Sequence, residues 1–261
     1  MGEATKSPLR VHFDCRLKLE FRGTTITSDA GLLAFRELDD ALGLTGMAAS
    51  RLTECRKGKN TQHTLVALLR QSIFGRLAGY EDVNDAERLR LDPAMRSLVG
   101  HGDAPRYAAS TSEMARFETE QLATEENLEA LPDLSGHWID RVYERTALKD
   151  LVLDMDSSDS PTFGQQEGST FNGHFGFTCY HPLFVFNQFG DLERAMLRPG
   201  NVHSSKGWRE ALEPVVARYR SRKLTRSLRA DAAFARPEIY EFLEAEGFQY
   251  VIRLPANARL Q

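Results

Sequence analysis

The sequence predicts a mixed α/β domain that follows a mostly helical N-terminal region. One observation is that apolar residues recur at helical spacing through most of the first half of the chain. The other is that short runs of branched apolar residues alternate with helical patterns from Lys149 onwards. We therefore divide the chain into residues 1–147, a strand or hairpin followed by helices, and residues 148–261, the α/β domain.

The N-terminal region contains one predicted hairpin and several predicted helices. Residues 9–27 alternate partly between apolar and polar side chains, which indicates a strand or hairpin. The next helix can be capped by Ser28 or Asp29 and ends at Gly43. The apolar residues of this helix lie three or four apart, at Leu32, Phe35, Leu38 and Leu42. A second long helix is predicted from Thr61 to Gly79, and shorter ones over Asn84–Leu91, Pro93–Val99 and Ser110–Glu120.

The second half begins with a strand, LVLDMD at 151–156, and continues through a turn-rich segment at 157–176. The residues that follow predict a meander of antiparallel strands over 175–180, 183–187 and 192–197. Helical spacing then returns, and the remaining predicted elements are a helix over Lys206–Tyr219, a strand over Ser227–Ala230, a helix over Pro237–Glu246 and the strand FQYVIRL.

Composition narrows the class of protein. At 261 residues, 41% apolar and 27% charged, the chain matches ordinary globular protein with room for one large or two smaller domains. It contains no apolar run of the roughly 18 to 20 residues that cross a bilayer, and its start lacks a secretion signal, so we expect a cytoplasmic protein without a membrane partner. We expect the three cysteines to be reduced, since they are odd in number and far apart.

Two predicted strands end in carboxylates. Asp156 closes LVLDMD, where Asp154 points to the same face, and Asp231 follows the strand that ends at Ala230. If these strands are neighbours, Asp156 and Asp231 converge at one edge of the sheet, where oxygen ligands suit Mg²⁺. Aspartates at strand ends also commonly cap the next helix or close a turn, so spacing alone leaves both interpretations open.

The chain resembles the catalytic domain of bacterial insertion-sequence DDE transposases in three successive segments: LDMDSSDSPTFGQQEGSTFNGHFGFTCYHPLFVF, LRPGNVHSS and LRADAAFARPEIYEFLEAEGFQYVIRLPAN. It is similar to the helical N-terminal region of the same family in GLLAFRELDDALGL, HTLVALLRQSIFGRLAGYEDVNDAERLRLDPAM and STSEMARFE. This resemblance covers nearly the whole chain. It implies an incomplete ribonuclease-H-like fold. It also implies an enzyme that cleaves DNA at insertion-sequence ends and joins it to target DNA, with Mg²⁺ or Mn²⁺ as cofactor. The resemblance further implies a homo-oligomer that assembles on DNA.

The resemblance also assigns catalytic residues. The family's first aspartate, which precedes small hydroxyl residues, falls on Asp156, with Asp154 as the alternative. The second falls on Asp231, within an Arg-x-Asp motif followed by a small residue and a phenylalanine that matches Arg229 and Phe234. Both Asp156 and Asp231 are thereby predicted as catalytic metal ligands.

The third family ligand, a glutamate on a later helix, matches no position before Gln261. The glutamates between 238 and 246 come too early and are predicted to form a solvated helix face. The expectation is therefore a C-terminally truncated transposase. A non-catalytic DNA-binding or regulatory remnant, or a stand-alone nuclease of the same fold, are the alternatives.

A local basic stretch lies just before Asp231, although the formal net charge of −4 excludes a strongly basic surface overall. Residues 218–229 carry six basic and no acidic side chains, and they could contact DNA phosphates or form a solvated helix end. The block LRPGNVHSSK could likewise contact a DNA end or be a plain turn at 199–201. The DNA contacts predicted from these two stretches are Arg198, Lys206, Arg222 and Lys223.

Overall fold

The computed structural model describes residues 9–19, 29–58, 61–100 and 105–255. The chain divides into two compact units, 1–131 and 132–261, so the division falls before the boundary at 147 and 148 that we predicted from the sequence. Residues 132–147 belong to the second unit because side chains from the end of helix α7 (Glu125–Tyr143) contact the strands of that unit. Asp133 pairs with Arg194, and the Asn187 side chain donates a hydrogen bond to the Tyr143 hydroxyl at 2.9 Å.

The first unit begins with an antiparallel hairpin of β1 (Leu9–Arg10) and β2 (Lys18–Leu19). This confirms the predicted hairpin over residues 9–19, while residues 20–28 lie outside the described residues. The helices that follow are α1 (Leu32–Leu42), α2 (Leu44–Arg51), α3 (Leu65–Leu77), α4 (Ala86–Leu89), α5 (Pro93–Val99) and α6 (Thr111–Arg116). Their buried apolar core includes Leu32, Ala67, Phe74, Met95, Leu98 and Val99.

The caps of these helices follow the sequence only in part. Thr64, Asp92 and Ser110 cap α3, α5 and α6 with their side chains, as Ser, Thr and Asp commonly do. Gly43, in a left-handed conformation with φ 74°, ends α1 as predicted. However, α1 begins after Gly31 without a side-chain cap, so the cap predicted at Asp29 is wrong. Asp29 instead accepts a hydrogen bond from the Tyr80 hydroxyl.

Helix α1 buries polar residues as well as apolar ones. Phe35 and Leu38 are about half exposed, whereas Arg36 and Asp39 are buried. The Arg36 guanidinium donates to the Leu98 carbonyl oxygen at 3.2 Å, and Asp39 accepts hydrogen bonds from the amide and hydroxyl of Thr45. Burial of these groups is tolerated because their hydrogen-bonding capacity is met by protein partners.

The second unit contains a five-stranded mixed sheet in the order β10-β9-β3-β7-β8. Its strands are β3 (Asp150–Ser157), β7 (Leu183–Asn187), β8 (Leu192–Met196), β9 (Thr225–Ala230) and β10 (Gln249–Ile252). β3, β7 and β8 are antiparallel neighbours, while β9 and β10 add in parallel beside β3. The five-stranded mixed sheet with its helices confirms the predicted mixed α/β fold class.

The core of this unit lies on one face of the sheet. Leu151, Leu153 and Met155 alternate along β3, are at most 1% exposed, and belong to the same core as α8 (Trp208–Tyr219) and α9 (Pro237–Ala245). Since neighbouring side chains along a strand point to opposite faces, Asp154 and Asp156 lie on the other face of the sheet.

A separate small sheet contains β4 (Ser160–Pro161), β5 (Thr170–Asn172) and β6 (Phe177–Tyr180) in the order β4-β6-β5. The prediction that the strand at 175–180 belongs to the meander is therefore wrong. β6 is paired on both edges by strands from the turn-rich segment, so it offers no free edge to β7. The strands predicted at 183–187 and 192–197 do form an antiparallel pair beside β3.

Candidate active site

The ends of two neighbouring parallel strands bring Asp156 and Asp231 to the same edge of the sheet. The last register pair between β3 and β9 joins Met155 to Ala230, and each of the two aspartates is the next residue along the chain. Both aspartates are exposed. The two strands are therefore neighbours, as the predicted convergence requires.

Backbone amides hold both carboxylates in place. Oδ1 of Asp156 accepts a hydrogen bond from the Ser157 amide at 2.8 Å. Oδ1 of Asp231 accepts one from the Ala233 amide at 2.9 Å and so caps the 3-10 turn Ala232–Phe234. Within the described part of the chain, Oδ2 of each aspartate accepts no hydrogen bond. Each carboxylate is therefore oriented through one oxygen and presents the other to solvent.

Asp154, the alternative first ligand, is engaged elsewhere. It lies opposite Arg229 in the β3–β9 register, and the guanidinium donates to both of its oxygens, with Nε–Oδ1 at 2.6 Å and Nη2–Oδ2 at 2.5 Å. These hydrogen bonds to Asp154 raise the pKa of Arg229 above its ordinary value. Both Asp154 oxygens therefore accept hydrogen bonds from Arg229, whereas among the described residues only one oxygen of Asp156 accepts a hydrogen bond, from the Ser157 amide.

Two phenylalanines that we did not single out from the sequence lie beside these carboxylates. Phe184 is opposite Asp156 and Phe186 is opposite Asp154 in the register of β3 and β7, so all four side chains share one face. Both phenylalanines are half-buried, and their ring centroids are 5.8 Å apart. The alternation in LFVFN was the available signal, but only the pairing with β3 shows which face it reaches.

Arg198, predicted as a DNA contact, is instead an interior residue. Its side chain is 5% exposed and donates to the carbonyl oxygens of His181 at 2.8 Å, Ser204 at 2.8 Å and Lys206 at 2.5 Å. Burial lowers the pKa of its guanidinium. We therefore assign Arg198 to holding the loop at 198–206, which agrees with the turn interpretation of this segment, while the Lys206 side chain is exposed.

The basic stretch at 218–229 is largely paired with acidic groups of its own unit. Arg218 binds Glu193, Arg220 binds Glu246 and Arg222 binds Asp140. Among the predicted DNA contacts in this stretch, Arg222 is therefore occupied in an ion pair. Lys223 is exposed and forms no ion pair within residues 105–255. The stretch is less available to an external anion than its sequence indicates.

The pair of carboxylates fits a hard divalent cation. Mg²⁺ prefers oxygen ligands, keeps several waters and is usually held by one or two carboxylates together with substrate phosphates. Asp156 and Asp231 supply that donor set. Among the described residues, no group of three or more His, Cys, Asp or Glu side chains is placed to hold a metal ion. A third protein ligand is thus not found in the described part.

The mixed five-stranded sheet and the two aspartates at the ends of its parallel strands define an α/β protein with a pair of neighbouring carboxylates. The chain belongs to the transposase DDE domain group 1 family, whose model matches residues 9–261. This confirms the predicted DDE transposase family, while the bacterial insertion-sequence origin and the truncation stay predictions. None of the described helices is long and apolar enough to cross a membrane.

Similar solved structures include a piggyBac transposase synaptic complex with hairpin DNA, at 13% sequence identity and a TM-score of 0.41, over 92% of this chain and 54% of that one. Another is a Mos1 transposase paired-end complex with the left transposon end, at 12% identity and a TM-score of 0.28, over 79% of this chain and 62% of that one. The chain spans about half the length of the first structure. No curated protein sequence matches the chain.

Proposed function

We propose that this chain is a DNA transposase that uses Asp156 and Asp231 as metal ligands. In the proposed reaction, it cleaves phosphodiester bonds at insertion-sequence ends, and the freed 3'-hydroxyl then attacks target DNA, in a homo-oligomer assembled on the DNA. Membership of the transposase family supports this function. The observation that carries the site assignment is the placement of both aspartates at adjoining ends of parallel strands.

The residues of the site would each contribute in a defined way. Asp156 and Asp231 hold a cation through their free oxygens, while the amides of Ser157 and Ala233 keep the two carboxylates oriented. A bound Mg²⁺ or Mn²⁺ supplies Lewis-acid chemistry, which lowers the pKa of the attacking water or hydroxyl and offsets charge on the phosphate. The exposure of both aspartates leaves room for a DNA strand.

Contacts to the DNA backbone are proposed at the exposed cations Lys206 and Lys223. Lysine attracts phosphate independently of the base sequence, so these contacts would position DNA rather than select it. Arg222 would add to them only after leaving Asp140, which its Nη2 atom reaches at 2.8 Å.

Binding of Mn²⁺ to the folded chain tests the site assignment. We expect calorimetry to show binding to the wild type and at least about tenfold weaker binding to Asp231→Asn, because even changes outside the ligand shell cost about 10–100-fold in metal affinity. Asp150→Asn is the matched control, since Asp150 is an exposed carboxylate at the opposite end of β3. Equal affinities of the wild type and Asp231→Asn would show that Asp231 is not a ligand.

A non-catalytic DNA-binding role is the second candidate. It is favoured by one observation, that no group of three metal-ligating side chains exists among the described residues. The two candidates differ in a plasmid assay with Mn²⁺. The transposase proposal predicts nicking that Asp231→Asn abolishes. Retention of DNA on a gel without nicking, while a three-carboxylate member of the family nicks under the same conditions, would support the second candidate instead.

A further inference from the structure

The ion pair between Arg229 and Asp154 lies immediately next to the proposed metal ligands. Asp154 precedes Asp156 by two residues on β3. Arg229 lies on β9 two residues before Asp231, which directly follows that strand in an extended conformation. Since side chains two apart on a strand share a face, all four groups lie on the same face of the sheet. The pair and the proposed ligands thus form two successive rows across the same two strands.

Asp154 is close enough to the site to compete for metal. Two residues of a strand span about 6.6 Å at about 3.3 Å each. Two-metal sites hold ions about 3.5 to 4 Å apart, so a free Asp154 carboxylate would be able to add an oxygen ligand beside those of Asp156 and Asp231. In the structure that carboxylate is not free, because both its oxygens accept hydrogen bonds from Arg229.

We propose that Arg229 is a positioning residue that withholds Asp154 from the metal site, so that Asp156 alone serves as the ligand from β3. This inference rests on the proposed function of Asp156 and Asp231. A planar guanidinium suits this role because its fork matches both carboxylate oxygens at once. The DMD sequence of β3 offers two equivalent aspartates, and Arg229 distinguishes them.

A purely stabilising ion pair is the competing explanation. The side chains of Arg229 and Asp154 are 58% and 35% exposed. Ion pairs with this much exposure contribute little to stability, so variants at either position are expected to fold. Circular dichroism checks this for each variant. The two explanations then differ in what happens to metal binding.

Calorimetric titration with Mn²⁺ alone tests the proposal in four proteins: the wild type, Arg229→Ala, Asp154→Asn and the double variant. We expect Arg229→Ala to bind Mn²⁺ about tenfold more tightly, or to bind one more ion, because it adds a charged oxygen ligand. Asp154→Asn is expected to bind no more tightly than the wild type, because it offers no carboxylate and leaves the Arg229 charge unpaired. The double variant is expected to lose the gain of Arg229→Ala, since it has no carboxylate to release.

The double variant separates ligand release from simple charge. Removal of the Arg229 charge alone would strengthen Mn²⁺ binding equally with and without Asp154, and that result would overturn the proposal. Unchanged binding in Arg229→Ala would also overturn it. Absence of Mn²⁺ binding in the wild type would contradict the proposed function. In that case the inference would be decided by whether Arg229→Ala binds Mn²⁺ and the double variant does not.

Discussion

Replacement of Arg218 with methionine is expected to destabilise the second unit by about 3–5 kcal/mol at neutral pH, the usual cost of breaking a buried ion pair from one side. Glu193, its partner, is 1% exposed. The remaining hydrogen bonds to the Glu193 carboxylate come from the Tyr219 hydroxyl at 2.7 Å and the Asn187 amide at 3.0 Å. These neutral donors do not balance a buried negative charge.

The loss is expected to depend on pH. Burial raises the pKa of Glu193 above its ordinary value of 4.5 even with Arg218 present. The folded chain therefore binds this proton more tightly than the unfolded chain, and the associated stability is lost as pH rises from 4.5 through the folded-state pKa. Without Arg218 that pKa rises further. The destabilisation should thus be small below pH 4.5 and full at neutrality.

Urea unfolding of wild type and Arg218→Met below pH 4.5 and at pH 7 measures this difference. Arg209→Met is the control, because Arg209 lies on the same helix, is 51% exposed and pairs with Glu213 across 3.9 Å. We expect it to change stability by less than about 0.5 kcal/mol at either pH. A loss of the same size at both pH values for Arg218→Met would show that the buried charge of Glu193 is not its cause.

The second large effect is expected for Phe234→Ala. Phe234 is fully buried in the core of the second unit, and removal of a buried phenylalanine ring costs about 3–5 kcal/mol. It also ends the 3-10 turn that Asp231 caps, and its amide donates to the Asp231 carbonyl oxygen at 3.2 Å. The same change should therefore weaken Mn²⁺ binding through a less well-held Asp231.

Thermal or urea unfolding measures the loss of stability in Phe234→Ala, and Mn²⁺ titration of the folded variant measures its affinity for the metal. Phe163→Ala serves as the control because Phe163 is 88% exposed, and such surface changes usually stay within about 0.5 kcal/mol. Phe234→Leu keeps most of the buried volume and is expected to recover most of the stability. If Phe234→Ala were as stable as the wild type, the packing role assigned to this side chain would be wrong.

The candidate site was predictable where it depended on local pattern. The apolar alternation before Asp156 and Asp231 marks two strands that end in carboxylates, and the structure places those strands side by side. The choice between Asp154 and Asp156 was not predictable in this way. It depends on Arg229, which is 75 residues away from Asp154 in the chain and reaches it only because β9 pairs with β3.

The DNA contacts predicted from basic residues also depended on contacts between distant parts of the chain. Charge is visible in the sequence, but the partner of each charge is not. Arg198 is hydrogen-bonded to backbone carbonyl oxygens and Arg222 is paired with Asp140, whereas Lys206 and Lys223 are exposed. Fewer basic side chains are therefore available to phosphate than the sequence indicates.

By itself, the sequence determined the family, the order of most helices and strands, and the two aspartates at the strand ends. These features depend on near neighbours, since periodicity, caps and turns involve side chains a few residues apart. The tertiary structure alone decided the separate sheet of β4, β5 and β6, the burial of Arg36 and Glu193, and the pairing of Asp154 with Arg229. Each of these depends on which distant segment supplies the partner for a strand edge or a charge, and no local pattern specifies that partner.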